Sequence, residues 1–271
     1  MKILLVINDN TPQGIHAAKF AFLMAERIQA NIIIANIGVT SNKIALTVAT
    51  TGDAGLHDHE IAEWAVFENA PGDYDPKIRE IDISAMTEVQ LAELTIREEI
   101  WMVIKGMADH STETLSKMHF NINTLLNRSR CPLLLVPFHW HLKPIERLVY
   151  IADLRYCRLP FVRFLAELAK PYAATISIAN LAAKGLPNMA EDFANAVFRD
   201  EICAHVKYDD LRLNNIRESD LAKAVDVMIN GMHNDVLVMV NHRFHFEEIV
   251  GRYITEELPE HITVPLLIFP Y

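Results

Sequence analysis

Leu4-Leu5-Val6-Ile7-Asn8-Asp9 and Leu148-Val149-Tyr150-Ile151-Ala152-Asp153 are two versions of one phrase, 144 residues apart. Each is an apolar run that ends on an aspartate. At the same offset, Ala174-Thr175-Ile176-Ser177-Ile178-Ala179-Asn180-Leu181 lies over Ala30-Asn31-Ile32-Ile33-Ile34-Ala35-Asn36-Ile37. Each copy also closes alike, in Cys131-Pro132-Leu133-Leu134-Leu135-Val136-Pro137 and in Val264-Pro265-Leu266-Leu267-Ile268-Phe269-Pro270. Short continuous apolar runs are the mark of parallel strands buried on both faces. The chain therefore reads as one α/β unit of about 130–140 residues made twice.

Between the first two runs, Thr11-Pro12 opens a helix, with Thr11 as cap and Pro12 in the first turn, where its missing N–H costs nothing. Apolar residues then recur at Ile15, Ala18, Phe22, Ala25 and Ile28, the period of one buried helix face. Residues 40–70 are harder to read: Lys43 to Ala49 is a strand or an irregular loop, and Asp58 to Phe67 a short amphipathic helix. Residues 70–76 are a loop by composition. Ile78 to Ile83 alternates like an edge strand, and Thr87 with Gln90 forms a capping box for a helix through Glu99. Ile100 to Ile104 is a buried strand, Gly106 a polar turn, and Ser111 to Asn127 a helix. In the second copy, helices fall near Met189–His205 and Ser219–Gly231, with a strand around Val206–Leu211. Phe161, Phe164 and Leu168 read as core. The tract from Pro137 to Pro144 has no period and reads as a linker.

The fold class expected is α/β: two tandem Rossmann-like domains, residues 1–138 and 145–271, joined by linker 139–144. Each is a five-stranded parallel sheet with helices on both faces. The two final strands, Leu133–Val136 and Leu266–Phe269, are expected to meet, because pairing covers two apolar sheet edges.

Composition narrows function. The chain has 271 residues, is 51% hydrophobic and carries a formal charge of -10. That charge argues against nucleic acid, whose phosphates need a basic face. No run reaches the roughly 18 apolar residues that a membrane-spanning helix needs. Three cysteines without CxxC spacing point to reduced thiols and a cytoplasmic protein. Cys131 reads as a core residue, Cys157 as a weak candidate for an exposed, redox-sensitive thiol.

This order of elements resembles the universal stress protein family in its tandem form. The residues that carry the resemblance are the first strands ending at Asp9 and Asp153, the Gly106 turn, and the two proline-led final strands. It implies domains of the adenine nucleotide alpha hydrolase-like kind, paired within the chain as a pseudo-dimer, with a homodimer as a further possibility. Members of the family that bind ATP carry Gly-x2-Gly-x9-Gly-(Ser/Thr) after the fourth strand, where glycines let backbone N–H groups reach phosphate oxygens beside a helix N-terminus. Here those positions hold Gly106, Asp109 and His119, with Phe120 in place of the small hydroxyl. In the second copy the first two are Val240 and Arg243. The resemblance thus implies the fold and leaves ATP without its motif, and no cofactor is expected.

The candidate ligand-binding residues are Asp9, Gly106, Met107, Asp109, Asp153 and Arg243. Asp9 and Asp153 stand where open parallel sheets hold ligands, yet an Asx-turn capping the next helix is the plainer reading of both. Arg243 with His242 and His245 suggests an anion site in which side-chain charge replaces backbone approach; a solvated loop is the plainer reading. His57-Asp58-His59-Glu60 and His139-Trp140-His141 have His-x-His spacing but no third metal ligand. No Gly-x-Ser-x-Gly or Walker A sequence is present, so catalytic residues are not expected. The function expected is non-enzymatic binding of a small-molecule ligand or a protein partner; the alternative is ATP binding or slow hydrolysis at an altered site around Asp9 and Gly106.

Overall fold

A computed structural model of the chain describes residues 1–38, 74–108, 121–218, 220–243, 245–255 and 257–271. Ten strands form one sheet. In the first half these are β1 (Lys2–Asn8), β2 (Ala30–Asn36), β3 (Ile78–Asp82), β4 (Met102–Met107) and β5 (Leu133–Pro137). In the second half they are β6 (Arg147–Ala152), β7 (Thr175–Leu181), β8 (Leu211–Ile216), β9 (Val236–Val240) and β10 (Leu266–Phe269). Their spatial order is β3-β2-β1-β4-β5-β10-β9-β6-β7-β8. Each half runs 3-2-1-4-5, all parallel. The halves meet antiparallel at β5 and β10, where Leu135, Leu134 and Leu133 face Leu266, Leu267 and Ile268. The expected pairing of final strands is therefore present. All of these seam residues are at most 1% exposed, so the seam removes two apolar edges that would otherwise invite other chains.

Helix α1 (Pro12–Ile28) follows β1. The Thr11 hydroxyl accepts from the Gly14 N–H, and Pro12 occupies the first turn, as expected. Its buried face is wider than the predicted stripe. Phe20 and Met24 are buried along with Ala18, Phe22, Ala25 and Ile28, whereas Ile15 is exposed. The reason is a second contact: Trp140, in the segment after β5, is buried and sets its ring edge-on to Phe20 at 5.1 Å. Helix α2 (Glu88–Arg97) has the predicted capping box between Thr87 and Gln90, and α3 (Ile122–Arg128) is the described part of the helix expected over 111–127. The readings made for 40–70 fall outside the described residues.

In the second half, α4 (Leu159–Ala169) lies across the seam. Phe164 stacks on Trp101, just before β4, at 4.2 Å, and Phe161 stacks on Phe269 of β10 at 4.4 Å. Both phenylalanines are half-buried rather than core. Lys2 completes the row with its ammonium 4.5 Å from the Trp101 ring centre. Helices α5 (Glu191–Val197) and α6 (Leu221–Asp226) each widen into a π-helical stretch, over Phe198–Cys203 and Val227–Gly231. The strand expected at Val206–Leu211 lies instead at Leu211–Ile216. Residues 206–210 form the turn leading into it, and β8 is an edge strand whose Asn214 and Asn215 conceal its period. A last short helix, α7 (Phe246–Ile249), follows β9.

Candidate ligand cleft

Gly106 is in strand β4, paired with Val136 of β5, and not in a turn. The first turn of α1 lies directly on it: a Cβ at Gly106 would stand 2.0 Å from the Gln13 carbonyl oxygen. Its lack of a side chain is thus used for helix–sheet contact. Met107 is fully buried. Asp9 accepts from the Thr11 N–H at 3.1 Å and the Thr11 hydroxyl at 2.5 Å, the Asx-turn arrangement. Asp109 lies outside the described residues, as do His119, Phe120 and His57 to Glu60. In the first half, then, Asp9 and Gly106 are brought together around the start of α1, and both are engaged with it.

The second half differs at two matching positions. The 144-residue offset puts Arg158 where the first half has Gly14. Strand register puts Val240 where it has Gly106, since Leu4 pairs with Met102 and Leu148 with Val236. Two glycines that permit close approach are replaced by two side chains that forbid it. The backbone responds: a 3-10 turn, Leu154–Tyr156, takes the place of the first helical turn, and α4 starts only at Leu159. Between that helix and the carboxyl ends of β6 and β9 an open cleft remains, about 390 Å³ with the solvent at its mouth included.

Tyr150 and His245 line this cleft with Ile151, Met239, Val240, Phe161, Phe246 and the side chains of Arg158 and Arg243. The guanidinium of Arg243 is 4.6 Å, and that of Arg158 5.4 Å, from the ring centre of Tyr271. Neither arginine has an ion-pair partner among the described residues. Tyr150 is buried, and its phenol is raised above its usual range by burial and by Cys157, against the pull of Arg243 and Arg158.

His245 is 5% exposed. Its Nε2 lies 2.8 Å from the Leu181 carbonyl at the end of β7, and its Nδ1 has no hydrogen-bond partner among the described residues. Burial lowers its proton affinity, outweighing the Leu181 carbonyl, Glu248 and Asp153. His242 goes elsewhere, with Nε2 2.9 Å from Asn127 Oδ1 in the first half. Of the three residues expected around Arg243, two converge and one does not.

Asp153 lines the cleft but is fully committed. Its two oxygens accept from the Arg155 backbone N–H, Arg155 Nε, Arg155 Nη2 and the Ala183 N–H, at 2.6–3.1 Å. Burial would raise its carboxyl, and these hydrogen bonds, led by the Arg155 side chain, hold it below the usual range instead. It is an anchor for the turn. Arg155, so held, separates the cleft from a second hollow of about 260 Å³ beside Asn180, Asn215 and Arg217.

Sequence reading missed Arg158, Tyr150 and Phe161 as cleft residues. The signal was available in the repeat itself: laying one copy over the other shows glycine giving way to arginine at the start of the helix. Cys157, suggested as redox-sensitive, is not suited to that role, because burial pushes its thiol up to about 12 and leaves almost no thiolate at neutral pH. Cys131 is a buried core thiol pushed up to about 11. His139 and His141 are exposed on either side of buried Trp140.

No protein-family model matches the sequence, and no curated protein matches it. Solved structures do. A universal stress protein from Archaeoglobus fulgidus DSM 4304 superposes with a TM-score of 0.56 at 12% identity, covering 98% of this chain and 97% of the other. A functionally unknown protein from Pseudomonas aeruginosa PAO1 gives 0.55 at 13% identity, over 99% and 92%. The cytoplasmic domain of a prokaryotic cation chloride cotransporter gives 0.54 at 11% identity, over 98% and 94%. At such identities the likeness is one of fold.

Proposed function

We propose that this chain, which has the fold of the universal stress proteins, is a non-enzymatic protein that binds a small anionic ligand, and that the second half does the binding. The observation that carries this reading is the cleft at the carboxyl ends of β6 and β9, which Arg158 and Arg243, without an ion-pair partner among the described residues, line together with the buried His245. Open parallel sheets take ligands at this edge, and two guanidiniums suit an oxyanion. In the first half the start of α1 lies on Gly106 rather than leaving it open to phosphate, which supports the same reading. This weighs against the nucleotide alternative built on Asp9, Gly106, Met107 and Asp109. Asp153 serves as support for the cleft and Arg243 as a direct contact. The acidic composition and the unpaired cysteines fit action in the cytoplasm, and among the described residues no helix is long and apolar enough to cross a membrane.

The test is mass analysis of ligand carried through purification of the full chain, beside the double variant Arg158→Gln, Arg243→Gln. The expected result is a small anion bound to the native chain and lost from the double variant. Ligand retained by the double variant, or a nucleotide bound in a manner insensitive to it, would refute the assignment.

A further inference from the structure

Resting on the cleft assignment above, we propose that the ligand is a compact hydroxy acid. Its carboxylate lies between the guanidiniums of Arg158 and Arg243, and its hydroxyl donates a hydrogen bond to Nδ1 of His245.

The tautomer of His245 follows from its one partner. The Leu181 carbonyl accepts only, so Nε2 must carry the proton that it receives. A neutral ring protonated at Nε2 presents a bare lone pair at Nδ1. The residue lines the cleft, and that atom is buried with no donor among the described residues. A buried acceptor left unpaired costs about 1–3 kcal/mol, so the site is built for a donor on the incoming molecule. Asp153 cannot compete for the donor, because its oxygens are already filled.

The remaining walls set the rest of the molecule. Two arginines match a single carboxylate. Val240 puts an apolar side chain in the lining at the position that matches Gly106, which disfavours a polyphosphate. Phe161, Phe246 and Met239 add an apolar lining, with the Phe161 ring centre itself 5.8 Å from the Arg158 guanidinium. The ring of Tyr271, already lying over both guanidiniums, shows that an aromatic group is compatible with them. The class is a hydroxycarboxylate with a short apolar or aromatic tail.

The experiment is calorimetric titration of the full chain with 3-phenyllactate, 3-phenylpropionate and phenyl phosphate. The first two differ only in the hydroxyl. The expected result is 3-phenyllactate binding about tenfold or more tightly than 3-phenylpropionate, because a site that pairs a hydroxyl rejects the analogue without one. In His245→Phe the preference should fall below about twofold. Should that variant fail to fold, the comparison of the two acids on the native chain still decides the hydroxyl contact. Equal binding of the two acids, abolished in Arg158→Gln, Arg243→Gln, would overturn the hydroxyl contact and leave the anion cleft standing. Tighter binding of phenyl phosphate would overturn the carboxylate. Binding of neither acid would overturn the hydroxy-acid class, and binding that survives the double arginine variant would overturn this proposal together with the cleft assignment.

Discussion

Replacing Gly106 by alanine should be disproportionately costly for one methyl group. The added Cβ would stand 2.0 Å from the Gln13 carbonyl oxygen and 2.4 Å from its carbon. An ordinary contact begins near 3.4 Å, so backbone must retreat by about 1 Å or more. That backbone is the first turn of α1, held by the Thr11 cap at one end and packed along the sheet at the other. Overpacking that forces backbone movement costs about 2–4 kcal/mol, which for a chain of this size lowers Tm by roughly 5–10 °C. Gly14→Ala provides the contrast. Its nearest obstacle is the Asp9 side-chain oxygen, at 2.7 Å. The carboxylate can swing aside at the cost of its two hydrogen bonds from Thr11. Alanine's gain of up to about 1 kcal/mol over glycine in a helix offsets that cost in part, so the loss should stay at about 1 kcal/mol. Urea denaturation followed by circular dichroism measures both. A loss below about 0.5 kcal/mol for Gly106→Ala would mean that α1 does not rest on β4, and with it would go the argument that α1 keeps phosphate from Gly106.

Two further outcomes follow from charge and from the seam. His245 has a lowered proton affinity in the folded chain, so the unfolded chain binds more protons as pH falls through about 6.5; stability should decline from there down to the folded-state value and then level off, a component that His245→Asn should lack in otherwise matched pH–denaturation curves. Leu267→Asp would place an unpaired carboxylate at a fully buried position facing Leu134, with an expected loss of about 4 kcal/mol or more; a variant within 1 kcal/mol of the native chain in urea titration would show that the seam contributes little.

The strands that build the sheet were legible because they are buried on both faces. Ile32–Ile34 and Leu133–Val136 have no polar interruption, and the pairing of β5 with β10 follows from two apolar edges that need cover. β8 was misplaced because an edge strand keeps polar residues, and Asn214 with Asn215 hides its alternation. Gly106 was read as a turn because glycine in a strand and glycine in a turn look alike in sequence; only the distance to Gln13 separates them. Asp153 was correctly placed at the end of β6, but the four hydrogen bonds that absorb it come from Arg155 and Ala183, and the latter arrives from a distant loop. The cleft itself was invisible to motif reasoning. It arises from Arg158 and Val240, ordinary residues whose meaning appears only against Gly14 and Gly106.

The antiparallel seam at β5 and β10 gives this last comparison its weight. Two separate but identical subunits joined in that way would share every substitution, so a side chain opening a cleft in one would open it in the other. Within one chain the copies can diverge, and Gly14 with Gly106 can coexist with Arg158 and Val240. The seam also turns the halves head to tail, so their carboxyl edges face opposite margins of the sheet. One margin carries the cleft and the other the closed helix start, and a molecule of this kind has a front and a back.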